Sequence, residues 1–193
     1  MVNIIMLVLT LLFWVLFLGR TAMLMKQGVQ VFVLAKGKGP AEKVLEILIV
    51  PLLVLWTAQI ILTTLGKDFL QLPVFWTAGS VQWVGVILCV AGLGIFLAAL
   101  VSFGGAWRVG IDEEKSDRLV TNGIFAYSRN PIFLFMNMYF AGVFLVYPTP
   151  LFLLFFACFA VGIHRQILNE ERFLRGKFGQ DYASYCQTVR RYL

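Results

Sequence analysis

The sequence is short of the residues on which water-soluble and metal chemistry usually rests. Only one of its 193 residues is histidine and only 13% are charged, about half the charged share of an average soluble domain. His164 has no nearby Cys or carboxylate to complete a ligand set, so it reads as an interfacial polar residue and no metal is expected. The three cysteines, Cys89, Cys158 and Cys186, have no CxxC spacing and leave one odd. Two of them fall inside apolar runs, which excludes a disulfide framework and a zinc site alike. No internal repeat or low-complexity tract is visible, and Gly37-Lys38-Gly39-Pro40 reads as a loop breaker between longer segments. No positive stretch precedes the first apolar run at Met1-Val2-Asn3, so a retained first span is expected and not a cleaved leader.

What the chain does have is apolar residues, 60% of the total, collected in blocks too long and too free of charge for a soluble core. That excludes an ordinary cytosolic enzyme, a disordered chain and a nucleic-acid binder. The expected fold is an all-α integral membrane protein, one domain over residues 1–193. A helix needs roughly 20 apolar residues to cross the hydrocarbon, which places spans near 2–19, 44–65, 79–103, 131–147 and 151–163. Pro51 is a kink candidate in the second. The Tyr147-Pro148-Thr149-Pro150 turn makes the last two an antiparallel helical hairpin. The fifth run is too short to cross alone, so its helix is expected to continue past His164; a buried hairpin that never fully spans is the alternative.

Fifteen of the sixteen Lys and Arg residues fall in 20–43, 104–130 and 164–193, with Lys67 alone elsewhere. The positive-inside tendency makes those three segments cytoplasmic and the N-terminus external, and five spans agree with that parity. The same topology signal explains the net charge of +6 without a polyanion partner. Several of Trp14, Trp56, Trp76, Trp83 and Trp107 sit at or near span ends, as expected of interfacial anchors, and no function is assigned to them. Only Glu46 is ionisable within the apolar runs, near an end, which argues against transport.

Nearly all remaining ionisable groups near the last three helices lie in 104–130 and 164–193, so a site is expected at the membrane–water boundary. In Arg129-Asn130-Pro131, Pro131 suits the first turn of the fourth helix and Asn130 can cap it; a plain helix start is the competing explanation. Arg129 can grip a carboxylate with two parallel bonds, or simply anchor the cytoplasmic side. Glu170 and Glu171 point about 100° apart on a helix, so one can face a cavity while the other pairs. Arg175 at i+4 accounts for Glu171, and a solvated face accounts for Glu170. Gly92-Leu93-Gly94 signals close helix packing in a membrane.

In order along the chain stand Gly92 and Gly94, Leu119-Val120-x-x-Gly123-Ile124-Phe125, Arg129-Asn130-Pro131-Ile132-Phe133 and Glu170-Glu171. Phe178-Gly179-x-x-Tyr182-x-x-Tyr185 and Val189-Arg190-Arg191 follow. Over about residues 85–191 this series resembles the superfamily of isoprenylcysteine carboxyl methyltransferases and phospholipid methyltransferases, integral membrane enzymes. The resemblance implies S-adenosylmethionine as cofactor, held at the cytoplasmic ends of the last helices. It assigns backbone contacts to Leu119, Val120 and Gly123 and the opening of the fourth helix to Arg129, Asn130 and Pro131. It assigns the cofactor's ammonium or ribose to Glu170 and Glu171, and the glycine pair of the phospholipid branch to Gly92 and Gly94.

The chain departs from the family where Asp117 and Asn130 replace histidines and where Phe125 and Phe133 replace tyrosines. Asn in the tripeptide suits bacterial relatives, so an inner membrane is expected in preference to endoplasmic reticulum. The missing hydroxyls weaken the case for prenylcysteine carboxylate as acceptor. Methyl transfer is in-line displacement, so orientation and water exclusion dominate. Arg129 and Glu170 are the expected catalytic residues, matching the cofactor's carboxylate and its cationic groups. Glu170 or Tyr127 can serve as a base if a lipophilic or small acceptor presents an amine or thiol; a carboxylate acceptor would need none and would favour arginine. A membrane reductase using NADPH and a non-enzymatic scaffold are the alternatives.

Overall fold

The computed structural model describes residues 1–32, 40–67, 72–104 and 119–193, with the side chains of 40–46 and 49 left aside. Lys36, the loop at Gly37-Lys38-Gly39, Trp107, Arg108, Lys115, Asp117 and Arg118 therefore lie outside the described residues, as do the side chains of Pro40, Lys43 and Glu46. Among the described residues every element is helical: α1 (Val2–Lys26), α2 (Pro40–Thr64), α3 (Gly79–Phe103), a 3-10 turn (Gly123–Ala126), α4 (Pro131–Val146) and α5 (Pro150–Thr188).

Helix α1 runs past its apolar block and carries Arg20 within it, because a charge ends the hydrocarbon-compatible stretch and not the helix. Pro51 sits inside α2. Pro131 and Pro150 each occupy a first turn, where their missing N–H leaves no helical bond unmade. Thr149 caps α5, its hydroxyl accepting from the Phe152 N–H at 3.4 Å. Helix α5 continues far beyond His164, to Thr188, and is broken at Gly179 by a φ of 51°. By length and composition α1, α3 and α5 can each cross a membrane, whereas the apolar stretches Val50–Thr64 and Pro131–Val146 are shorter. At 16 residues, α4 rises about 24 Å, less than the ~30 Å hydrocarbon core.

Helices α3 and α4 form the centre of the bundle. A Cβ on Gly85 would stand 2.5 Å from the Gly142 carbonyl oxygen, and one on Gly142 would stand 2.6 Å from both the Gly85 oxygen and Cys89 Sγ. The backbones meet at these two glycines, so it is Gly85 and Gly142 that make the closest approach. Gly92 packs more loosely against Phe135, at 3.4 Å, while Gly94 faces away with no atom within 4 Å. The pair in Gly92-Leu93-Gly94 thus does not form a shared packing surface.

Phe96 stacks on Phe135 at 4.7 Å and Phe140 on Phe159 at 4.0 Å, the second contact joining α4 to the antiparallel α5. Trp56, inside α2, is 1% exposed and packs edge-on against Phe140 in the core. Trp14 reaches Thr57 on α2 through its indole N–H. Trp76 does lie beside a helix end, donating to the Leu145 carbonyl at 3.3 Å.

Candidate active site

The end of α1, the end of α3, the start of α4 and the polar half of α5 share one end of the bundle. Arg20 donates there to the Gly104 carbonyl just past α3, a cation at a helix C-terminus. Leu119 and Val120, half-buried, lead into the 3-10 turn. Gly123 has a φ of 60°, and a Cβ on it would lie 2.2 Å from Ser102 Oγ. Ser102 in turn accepts from the Ile124 N–H at 3.2 Å, stitching the turn to α3. Gly123→Ala combines left-handed strain of about 1–2 kcal/mol with that clash. It is expected to lower the thermal midpoint in detergent by several degrees, read by scanning fluorimetry, and an unchanged midpoint would show that the turn is not held there.

Phe125 anchors the turn from inside, edge-on to Phe103 at 4.6 Å. The Tyr185 hydroxyl donates to the Phe125 carbonyl at 2.6 Å. Burial pushes the Tyr185 phenol up to about 12, so it remains a donor at neutral pH. Tyr127, by contrast, is 72% exposed and projects from the turn.

Arg129 and Asn130 are shaped by the last residues of the chain. The Arg129 N–H donates to the Arg190 carbonyl at 3.0 Å. The Asn130 side-chain amide donates to the Arg191 carbonyl at 3.1 Å, and Ser128 Oγ reaches the same oxygen at 3.5 Å. Asn130 occupies the N-cap position of α4 but makes no side-chain cap. Its side chain is spent on the returning tail, which corrects the expectation of a capping amide.

The charged centre is a carboxylate between two guanidiniums. Arg191 grips Glu171 with both prongs, Nε to Oε1 at 3.0 Å and Nη2 to Oε2 at 2.8 Å. Arg129 Nη2 lies 3.4 Å from the same Oε1, and Arg129 Nη1 donates to Cys186 Sγ. The Arg129 and Glu171 side chains are only 11% and 9% exposed, against 36% for Arg191. Burial alone would raise the Glu171 carboxyl. The Arg191 hydrogen bond, the charges of Arg129 and Arg191 and the Asn130 amide outweigh it and hold the group below its ordinary value.

Glu171 therefore turns inward and not toward Arg175, which stays exposed. Its position explains this: Phe155, Phe159, Ile163, Ile167 and Glu171 are all buried at successive i+4 steps, one stripe on the bundle side of the helix. Glu170, one residue away, is half-buried. The sequence reading missed Arg191, Cys186, Ser128 and Tyr185 as parts of this cluster. The Tyr182-x-x-Tyr185 spacing and the closing Arg190-Arg191 pair were the available signals. Tyr182 is buried beside them, its phenol pushed up by burial and then by the Glu171 charge. Among the described residues no group of three His, Cys, Asp or Glu is placed to hold a metal ion.

The described helices, three of them long and apolar enough to cross a membrane, define a helical integral membrane protein with a charged cluster at one end of its bundle. The family model for phospholipid methyltransferase matches residues 80–181, more than half of the chain, and the protein belongs to that family within the isoprenylcysteine carboxyl and phospholipid methyltransferase superfamily. It is also 31% identical over 113 residues to a protein-S-isoprenylcysteine O-methyltransferase of Dictyostelium discoideum, covering 57% of this chain and 48% of that protein. The chain thus spans about half the length of that curated relative. No solved structure matches it.

Proposed function

We propose that this protein transfers a methyl group from S-adenosylmethionine to a lipophilic or small acceptor at the membrane interface. The observation that carries the reading is Arg129, a nearly buried guanidinium built into the family-matched region by contacts from three separate stretches of chain. Its Nε is buried and has no hydrogen-bond partner among the described residues. Leaving such a donor unpaired costs about 1–3 kcal/mol, so an anionic ligand oxygen placed there would be stabilised. The donor set therefore fits a cofactor that carries one carboxylate.

When bound, S-adenosylmethionine supplies an electrophilic methyl on a sulfonium. Arg129 would hold the carboxylate, and Glu170 the cationic portion, because both oxygens of Glu171 are already engaged by Arg191. Leu119, Val120 and Gly123 would line the ligand with backbone groups, the small Gly123 letting the turn lie close to Ser102. Gly92 would line the deeper part between helices, whereas Gly94, which faces away, has no ligand role, and Asn130 and Pro131 would fix the entrance of α4. The chain's own work is then to orient the two partners and keep water from the reacting carbon.

The acceptor classes are an isoprenylcysteine carboxylate, a phospholipid amine or a thiol; an amine or thiol would call on Glu170 or Tyr127 as base. We also infer five spans with the site at the cytoplasmic end. Arg20, Arg129, Arg165, Arg172 and Arg191 gather at that end while Lys67 lies at the other, as the positive-inside rule requires. The family match favours methyl transfer over the reductase and scaffold alternatives.

Titration calorimetry of the detergent-purified full chain with S-adenosylmethionine tests the proposal. Saturable one-site binding is expected in the wild type and none in Arg129→Ala. An absence of binding by the wild type would overturn the reading.

A further inference from the structure

The family match ends at residue 181, yet three of the groups around Arg129 come from beyond it. The break at Gly179, with its φ of 51°, redirects α5, and at Val189 the chain becomes extended. The strap that follows is fixed by its backbone: the Arg190 and Arg191 carbonyls accept from Ser128, Arg129 and Asn130. With the backbone held this way, the Arg191 side chain is delivered to Glu171 at bidentate distance.

We propose that Arg191 is a positioning residue: by holding both Glu171 oxygens it confines Glu171 to the Nη2 edge of Arg129 and keeps Arg129 Nε available for an anionic ligand group. The idea rests on the cofactor reading above for what the ligand is, but the Arg191–Glu171–Arg129 relay stands on geometry alone. Without Arg191, Glu171 is free to fork across Nε and Nη2 of Arg129, the preferred pairing of guanidinium and carboxylate. That rearrangement would satisfy the open Nε internally and close the site to an anion.

Two consequences separate this role from a structural one. Arg191 is more than a third exposed, so its removal should cost little stability at neutral pH, as exposed pairs do, while ligand affinity falls. The second is acid dependence. Glu171 is held below its ordinary value near 4.5, so its contribution to stability is fully present above that value and is lost as pH falls toward its folded one. The groups facing it are Arg129 before α4, Arg191 on the strap, and Tyr182 and Asn130. Once Arg191 is removed and Glu171 forks onto Arg129, the carboxylate keeps two charged hydrogen bonds and stays below its ordinary value, so the acid-side loss is retained. A Glu171 that did not re-pair would rise in value, and the loss would shrink.

The experiment compares full-length wild type, Arg191→Gln and Arg175→Gln in detergent, by calorimetric titration with S-adenosylmethionine and by thermal midpoint from neutral to acid pH. Arg191→Gln is expected to weaken binding about tenfold, the lower end of what outer-shell partners contribute. It should retain the acid-side fall of the midpoint, because the re-forked Glu171 remains paired with Arg129. Arg175→Gln, which removes the same charge from the exposed side of α5, should change neither. Unchanged affinity in Arg191→Gln, an equal loss in Arg175→Gln, or weaker binding with a clearly shallower acid-side fall would each overturn the proposal. If the wild type itself does not bind, the cofactor reading fails, and the acid-side comparison alone decides the relay: a fall retained in Arg191→Gln upholds it, and a shallower one overturns it.

Discussion

Glu171→Gln is expected to lower the thermal midpoint in detergent by roughly 10 °C, whereas Glu170→Gln is expected to weaken cofactor binding and to lower the midpoint less. The two residues are adjacent, but α5 sends them to different surroundings. Glu171 continues the buried stripe of Phe159, Ile163 and Ile167 and is the carboxylate that Arg129 and Arg191 share. Neutralising it leaves Arg129 nearly buried without a counter-charge, and breaking a buried pair from one side typically costs about 3–5 kcal/mol. For a chain of this length each kcal/mol moves the midpoint by about 2–4 °C. Arg191 adds less to that sum, since its exposed side is screened by water.

Glu170 is half-buried, so its neutralisation should cost less stability than that of the more deeply buried Glu171, while its proposed hold on the ligand's positive charge is lost. Scanning fluorimetry and calorimetric titration on the same preparations read both quantities. If Glu170→Gln proved the more destabilising, or if it bound ligand as tightly as the wild type, the division of labour between the two carboxylates would be wrong.

Helix positions were legible because each is set by local signals. Helix α3, Gly79–Phe103, lies inside the uncharged run between Asp68 and Arg108, and α4 starts at the proline that suits a first turn. The continuation of α5 past His164 followed from the shortness of its apolar run against the bilayer. The partner of Glu171 was not legible by the same means. An i+4 rule sees only Arg175, because it treats the helix as isolated and solvated. The true partners lie 42 residues before Glu171 and 20 after it. Their arrival depends on the turn at Gly179 and on a backbone strap, neither of which leaves a periodic trace.

The burial of Glu171 did leave such a trace. Extending the i+4 stripe from Phe155 reaches position 171 and passes over 170, which marks Glu171 as the inward carboxylate before any partner is known. Trp56 shows the opposite case. Residue type alone associates tryptophan with a membrane boundary, whereas this ring, inside α2, fills the core beside Phe140. Residue type gave the membrane, and the phase along each helix decided the contacts.

Glycine illustrates the same point with the largest packing effect expected in the membrane region. Gly142→Ala should be clearly destabilising and Gly94→Ala should not, although the sequence drew attention to Gly94. A methyl on Gly142 would overlap the Gly85 carbonyl oxygen and Cys89 Sγ, both at 2.6 Å, with the Cys89 amide nitrogen at 3.2 Å. Backbone atoms cannot rotate away, so α3 and α4 must separate. Overpacking of this kind costs about 1–3 kcal/mol, partly offset by up to ~1 kcal/mol of better helix propensity in alanine.

The separation also removes the van der Waals contact that holds membrane helices together where burial from water does not. Gly142→Leu enlarges the overlap and should fall further. A methyl on Gly94 meets nothing within 4 Å, so Gly94→Ala keeps the packing and should hold or slightly raise the midpoint. Thermal unfolding of the three variants in one detergent gives the order Gly94→Ala above Gly142→Ala above Gly142→Leu. Equal midpoints for Gly94→Ala and Gly142→Ala would mean that α3 and α4 do not meet at their glycines, and with that the alignment that brings Ser102 to Gly123 at the site would lose its support.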